Sequence, residues 1–252
     1  MSGHSKWHSI RHKKGAADAK RGKLFAKLIK EVTVAARLGG SDDGANPRLR
    51  QAVLKARAAN MPADNIDRAI KKGAGEAGGS EFHELLYEAY GPGGVAMLIE
   101  ILTDNRNRSA AEVRNTLSKH GGNLGDAGSV SYLFKRRGVV AVDGEQHSED
   151  QVMEVAIESG ALDVVADDGI IEVLTEPADF DVVLQSIQTA ELATTGAEIT
   201  WVADAPLELP PKPATAAVRL IELIEDLDDV QSVASNLELG NVELPEPSLV
   251  AD

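Results

Sequence analysis

Cysteine is absent from the 252 residues, which excludes disulfides, thiolate catalysis and cysteine-ligated zinc, and is compatible with a reducing cytoplasm. Long apolar runs are missing too. The longest, around Val95–Leu102, is interrupted by Glu100 and falls far short of a membrane span. Met1–Lys14 is basic but has no apolar stretch of the kind a secretory signal needs. Enzyme signatures are equally scarce. No Walker A sequence and no GxSxG elbow occur, and His83-Glu84 opens an HExxH pattern that Tyr87 leaves unfinished. Gly73–Gly78 matches GxGxxG, but a helix precedes it and a strand follows, the reverse of a dinucleotide site, so it is expected to be a linker. These absences leave a soluble cytoplasmic protein with no membrane partner, no cofactor, no metal and no catalytic set.

Positive charge is the last scarcity, and it is local. Beyond Gly75 there are only 9 Lys/Arg against 34 Asp/Glu, a net of −25, whereas residues 1–75 hold 17 against 6, a net of +11. The overall charge of −14 therefore conceals a cationic head on an acidic body. Polyanions reward such an asymmetry, because each neutralised phosphate releases counterions and adds sequence-independent affinity. With 43% hydrophobic and 26% charged residues the chain is globular, and its length suits two or three domains.

Residues 1–20 show neither helical nor strand periodicity and read as a basic tail. From Lys20 to Leu38 the period is helical: Leu24, Phe25, Leu28, Ile29, Val32, Ala35 and Ala36 share one arc, Lys20, Lys23, Lys27, Lys30 and Arg37 the other. Asn46-Pro47 opens a second helix as N-cap and first helical residue, and Asn60-Met61-Pro62 separates it from a third that is expected to end at Gly73. The head (21–75) is thus a basic three-helix unit, joined by a linker at 74–80 to the body.

In the body, Glu84–Tyr90 and Val95–Leu102 read as strands joined across Gly91–Gly94, followed by a helix from Ser109 to His120 and a strand at Val130–Phe134. Residues 137–204 read βαββαβ, a ferredoxin-like order. After a Pro-rich connector, 205–213, a helix at Ala216–Leu227 and a strand at Val230–Leu237 complete a second such domain, made of 81–136 and 205–245. The fold expected is α+β and multidomain: a three-helix N-terminal domain plus two ferredoxin-like βαββαβ domains, one inserted in the other.

The candidate contacts are cations. In the tail, Trp7 lies among Lys6, Arg11, Lys13 and Lys14, where an indole can stack on an unpaired base or dock the tail onto the helices. In the head they are Lys20, Arg21, Lys23, Lys27, Lys30, Arg37, Arg48, Arg57, Lys71 and Lys72. A second contact could form at Arg106, Arg108, Arg114 and Lys119, rare cations in the body. Asp104 and His120 beside them suggest acid–base chemistry, but no nucleophile–base pair accompanies them. His4, His8 and His12 share helical spacing, yet neighbouring cations and the lack of a carboxylate oppose a metal there. The acidic run 222–229 reads as a solvated helix face, or as a charge that keeps stray polyanions from the body.

Several segments in one order resemble the YebC/PmpR family: GHSKW at 3–7, RHKKGAADAKRGKLFAKLIKE at 11–31, NPRL at 46–49, ANMPADNIDRAIKKG at 59–73, YGPGG at 90–94, LTDNRNRSAAEVR at 102–114 and KHGGNLG at 119–125. The resemblance runs from Gly3 to at least Leu239. His8 and Ala89 depart from it without removing a cation. It implies three domains, no enzyme activity, and one of two roles. The first is a DNA-binding transcriptional regulator whose partner is double-stranded DNA. The second is a translation factor bound to rRNA in the ribosome that relieves stalling. Either would act as a monomer or weak dimer.

Overall fold

A computed structural model describes residues 18–75, 82–167 and 169–239, with side chains from residue 21 onward. Three helices form the head: α1 (Asp18–Gly39), α2 (Pro47–Ala58) and α3 (Ala63–Gly75). Their apolar positions meet in one cluster that includes Val32, Ala35, Leu49, Val53, Ile66 and Ala69. Asn46 fixes the α1–α2 corner. Its Oδ1 accepts from the Leu49 amide at 3.0 Å, and its Nδ2 donates to the Ala35 and Gly40 carbonyls at 2.9 Å. A cap of this kind contributes about 1 kcal/mol. Gly73 does not end α3 as the sequence suggests. It lies inside the helix, where a Cβ would meet the Thr33 carbonyl oxygen at 2.2 Å, so its absent side chain lets α3 close against α1.

The outer body domain begins with β1 (His83–Tyr90) and β2 (Ala96–Thr103), an antiparallel hairpin turned by Gly93 and Gly94, both at positive φ. Next come α4 (Arg106–Lys119) and the short β3 (Asn123–Leu124). The expected strand at Val130–Phe134 is instead a single tight turn, Ser131–Leu133, with β4 (Phe134–Asp143) starting after it. The buried Glu88 carboxylate causes this, accepting from the amides of Gly128, Val130 and Ser131 at 2.7, 2.6 and 2.8 Å and curling the chain. Burial would raise the pKa of Glu88, but those three bonds outweigh it and hold it below the ordinary carboxylate value.

The inserted domain runs β4, α5 (Glu149–Glu158), β5 (Asp163–Asp167), β6 (Ile170–Thr175), α6 (Phe180–Thr189) and β7 (Thr194–Ala203). Its antiparallel sheet has the order β5-β6-β4-β7, the ferredoxin-like arrangement the periodicity implied. Val140, Val142, Val173, Phe180, Val183 and Ile187 fill the space between sheet and helices.

The chain then returns to the outer domain through β8 (Leu207–Glu208), α7 (Pro211–Glu225), β9 (Val230–Ser235) and β10 (Leu237–Glu238). The outer sheet has the order β3-β1-β2-β9, with the elements following one another as ββαβ and then αβ, because the glycine turn makes an immediate hairpin of the first two strands. The expected strand Val230–Leu237 breaks at Asn236, whose Oδ1 accepts from the Ala96 amide at 2.9 Å while its carbonyl accepts from Leu207. That turns the chain into a small parallel pair, β8 with β10. Strand β2 is buried on both faces, which explains its near-continuous apolar sequence. Met97, Ile99 and Ile101 meet α4 and α7. Ala96 and Leu98 meet Phe134, Trp201 and Ala203 from β4 and β7, which extend as a ribbon from the inserted domain.

Candidate nucleic-acid interface

The lysine-bearing face of α1 is turned toward the body. The Lys23 ammonium donates to the Asp226 carbonyl at 3.4 Å, and that of Lys27 to the Glu225 carbonyl. Lys30 reaches furthest, donating to the Leu102 and Asp228 carbonyls at 3.3 Å each and to Asp229 Oδ1 at 2.9 Å. Apart from Leu102, the acceptors cluster at and just beyond the C-terminal end of α7, where outward-facing carbonyls and the helix dipole concentrate negative potential. The run 222–229 is therefore not simply a solvated face, as its composition suggested. It receives the ridge of the head.

Asp229 is the centre of that junction and is 4% exposed. Besides Lys30, its carboxylate accepts from Thr103 Oγ1 at 3.0 Å, Arg108 at 2.7 Å and Ser109 Oγ at 2.8 Å. Burial opposes its charge, yet the bonds from Arg108, Lys30 and Ser109 prevail and hold it well below the usual carboxylate range. For Lys27 the balance runs the other way. Burial outweighs the attraction of Glu225, Asp226 and Asp228 and pushes its ammonium down to about 8.

Helix α2 carries a second docking set. Arg48 donates to both oxygens of Glu31 at 2.8 and 3.1 Å and also to Glu84. Burial opposes its charge, but the two carboxylates raise its pKa above the ordinary arginine value. Arg50 pairs with Asp181 at 2.7 Å and Lys55 with Glu198 at 2.7 Å, while Leu54 packs on the core of the inserted domain. The Arg37 guanidinium lies 5.8 Å from the centroid of the Phe82 ring.

Four further cations of the head lie near its helix ends. Arg57 ends α2, Lys71 and Lys72 lie near the end of α3, and Arg21 lies near the start of α1; all four are exposed. Lys6, Trp7, Arg11, Lys13 and Lys14, like His4, His8 and His12, lie outside the described residues, as does the side chain of Lys20. On α4, Arg108 stays exposed while bonding Asp229, and also pairs with Asp104 at 2.9 Å. Arg106 contacts His83 Nδ1 at 3.1 Å, and it and Arg114 flank Tyr87. Lys119 and His120 are exposed at the helix exit. Thus the structure joins Lys23, Lys27, Lys30 and Arg108 through one acidic junction, and leaves Arg57, Lys71, Lys72, Arg106, Arg114 and Lys119 outward.

Asp229, Arg50 and Lys55 were not among the site residues expected from sequence. The signal for Asp229 was its place in the acidic run 222–229, with five Asp/Glu in eight residues. Among the described residues no group of three or more His, Asp or Glu side chains is placed to hold a metal, and no helix is long and apolar enough to cross a membrane.

Comparison with known proteins gives a consistent picture. Residues 5–76 match the model of the TACO1/YebC protein N-terminal domain, and residues 82–237 that of the TACO1/YebC second and third domain. A protein of Treponema denticola named probable transcriptional regulatory protein is 55% identical over 98% of this chain and 100% of its own length. One of Geobacter sulfurreducens with the same designation is 51% identical over 97% of this chain and 98% of its own length. The crystal structure of a conserved hypothetical protein from Aquifex aeolicus superposes with a TM-score of 0.82 at 45% identity, covering 96% of this chain and 98% of that one.

Proposed function

This chain belongs to the TACO1/YebC family, and from that premise we propose that it is a non-enzymatic regulator that binds double-stranded DNA along the phosphate backbone. The regulatory part of the reading is supported by the names of its relatives, probable transcriptional regulatory proteins at 50–56% identity. The DNA part rests on one observation: a net charge of +11 confined to the first 75 residues, with Arg57, Lys71 and Lys72 exposed on its helices. Lysines and arginines on rigid helices hold phosphates at fixed spacing and draw affinity from counterion release. Few Asn or Gln side chains share these faces, so base-edge reading contributes little and specificity comes from DNA shape or from pairing of two copies. The basic tail with Lys6, Arg11, Lys13 and Lys14 extends the contact.

A second reading rests on Trp7, an aromatic platform amid those cations that suits an unpaired RNA base better than a duplex. In that reading the head engages rRNA on the ribosome. One experiment separates the two. Labelled duplex DNA and purified large ribosomal subunits compete for the intact protein at about 0.15 M salt, where weak phosphate steering is largely screened. Duplex retention in the presence of excess subunits supports the regulator. Its loss to subunits at stoichiometric amounts refutes the DNA reading in favour of the ribosomal one.

A further inference from the structure

The ridge of α1 meets, at the end of α7, a set of acceptors that resembles a stretch of phosphates. Three ammonium groups, Lys23, Lys27 and Lys30, point at the carbonyl oxygens of Glu225, Asp226 and Asp228 and at the Asp229 carboxylate. The junction is polar. Its contacts are ammonium groups on backbone carbonyls and one carboxylate, and Leu24 on α1 stays 41% exposed. Contacts of this kind are screened by salt and yield to a stronger anion, unlike a buried apolar interface. Asp229 itself needs nothing from the head to stay satisfied. When Lys30 leaves, Asp229 keeps Arg108, Thr103 and Ser109, all from its own domain.

We infer that the C-terminal end of α7 is an internal competitor for the DNA backbone: it occupies the Lys23–Lys27–Lys30 ridge in the closed form, and duplex DNA displaces it to reach those lysines. This rests on the DNA reading above and adds its regulation. The exposed cations Arg57, Lys71 and Lys72 make the first encounter. The ridge joins only when the head swings from α7 and gives up the α2 pairs with Glu84, Asp181 and Glu198, so loosely held polyanions are rejected and an extended duplex is retained.

The test uses the absence of native cysteine. Ala26 on α1, beside the ridge, and Asp228 beyond α7 are both exposed. The full-length variant Ala26→Cys/Asp228→Cys is bridged with a flexible bismaleimide, and duplex binding is measured by anisotropy before and after linkage. Three phosphate contacts at 0.15 M salt correspond to roughly 100-fold in affinity, of which the opening step consumes part. Linkage is therefore expected to weaken binding between about 10- and 100-fold. Saturating duplex added first is expected to slow linkage, because only the closed form brings the two thiols together. Equal affinity of linked and unlinked protein, or linkage unaffected by DNA, overturns the inference and leaves the DNA reading standing. An unlinked protein that binds no duplex overturns both. A pair that does not link in the free protein contradicts the closed form itself.

Discussion

Replacing Asp229 with alanine removes the one side chain that joins α1, β2, α4 and the α7–β9 turn. Four donors lose their acceptor: Lys30, Thr103, Arg108 and Ser109. The two hydroxyls are buried and left without this partner, though each retains another contact, since Ser109 Oγ lies 2.8 Å from Thr103 Oγ1. Arg108 is exposed enough to recover water and keeps Asp104. Breaking a buried charge network from one side costs about 3–5 kcal/mol, and the wetter side of this one lowers that to about 2–4 kcal/mol. Urea unfolding at pH 7, followed by circular dichroism with the slope compared between proteins, measures it. The difference also has a pH signature. Because the folded carboxylate titrates below its unfolded value of about 3.9, the stabilisation is fully present above that value and is lost as pH falls below it. Wild type and Asp229→Ala should therefore differ by a constant amount from about pH 7 to pH 5 and converge under stronger acid. A difference under about 0.5 kcal/mol at pH 7, or one that grows on acidification, would refute the reasoning.

Three further outcomes are expected. Lys27 loses its proton near 8 in the folded protein, against 10.5 unperturbed, so stability should rise between about pH 8 and pH 10 as only the unfolded chain retains that proton; Lys27→Met should abolish the rise in the same urea assay. Gly73→Ala forces a methyl toward the Thr33 carbonyl and should cost about 1–3 kcal/mol by thermal or urea unfolding, despite alanine's better helix propensity. Arg57→Ala/Lys71→Ala/Lys72→Ala should leave stability within about 0.5 kcal/mol, since all three are exposed. It should weaken duplex binding evenly across DNA sequences and reduce the salt slope by about 2–3.

What periodicity could show, it showed well. The three helices of the head and the βαββαβ order of the inserted domain follow from local patterns: Pro47 after Asn46, alternation in the strands, and 3.6-residue apolar spacing in α5 and α6. Local pattern failed where a distant group intervened. Glu88 turns the start of the expected strand Val130–Phe134, and Asn236 splits the last strand by bonding Ala96, 140 positions away. The lysine ridge is the sharpest example. Amphipathicity identified which face of α1 is apolar, but not whether the polar face meets water or another domain. Its partner at 225–229 lies about two hundred positions along the chain, and no short-range signal links the two. The Asp104–Arg108 neighbourhood is a helix entry capped by Asn105, and its arginine is spent on the same junction.

The central claim is that the head binds duplex DNA through phosphates, and titration of labelled duplex with the intact protein at salt concentrations from about 0.05 to 0.3 M tests it most directly. The account predicts a linear fall of log K against log salt with a slope of several units, similar for unrelated sequences, and flattened by the Arg57/Lys71/Lys72 substitutions. Binding that ignores salt, or no duplex binding at the lowest salt, would contradict it.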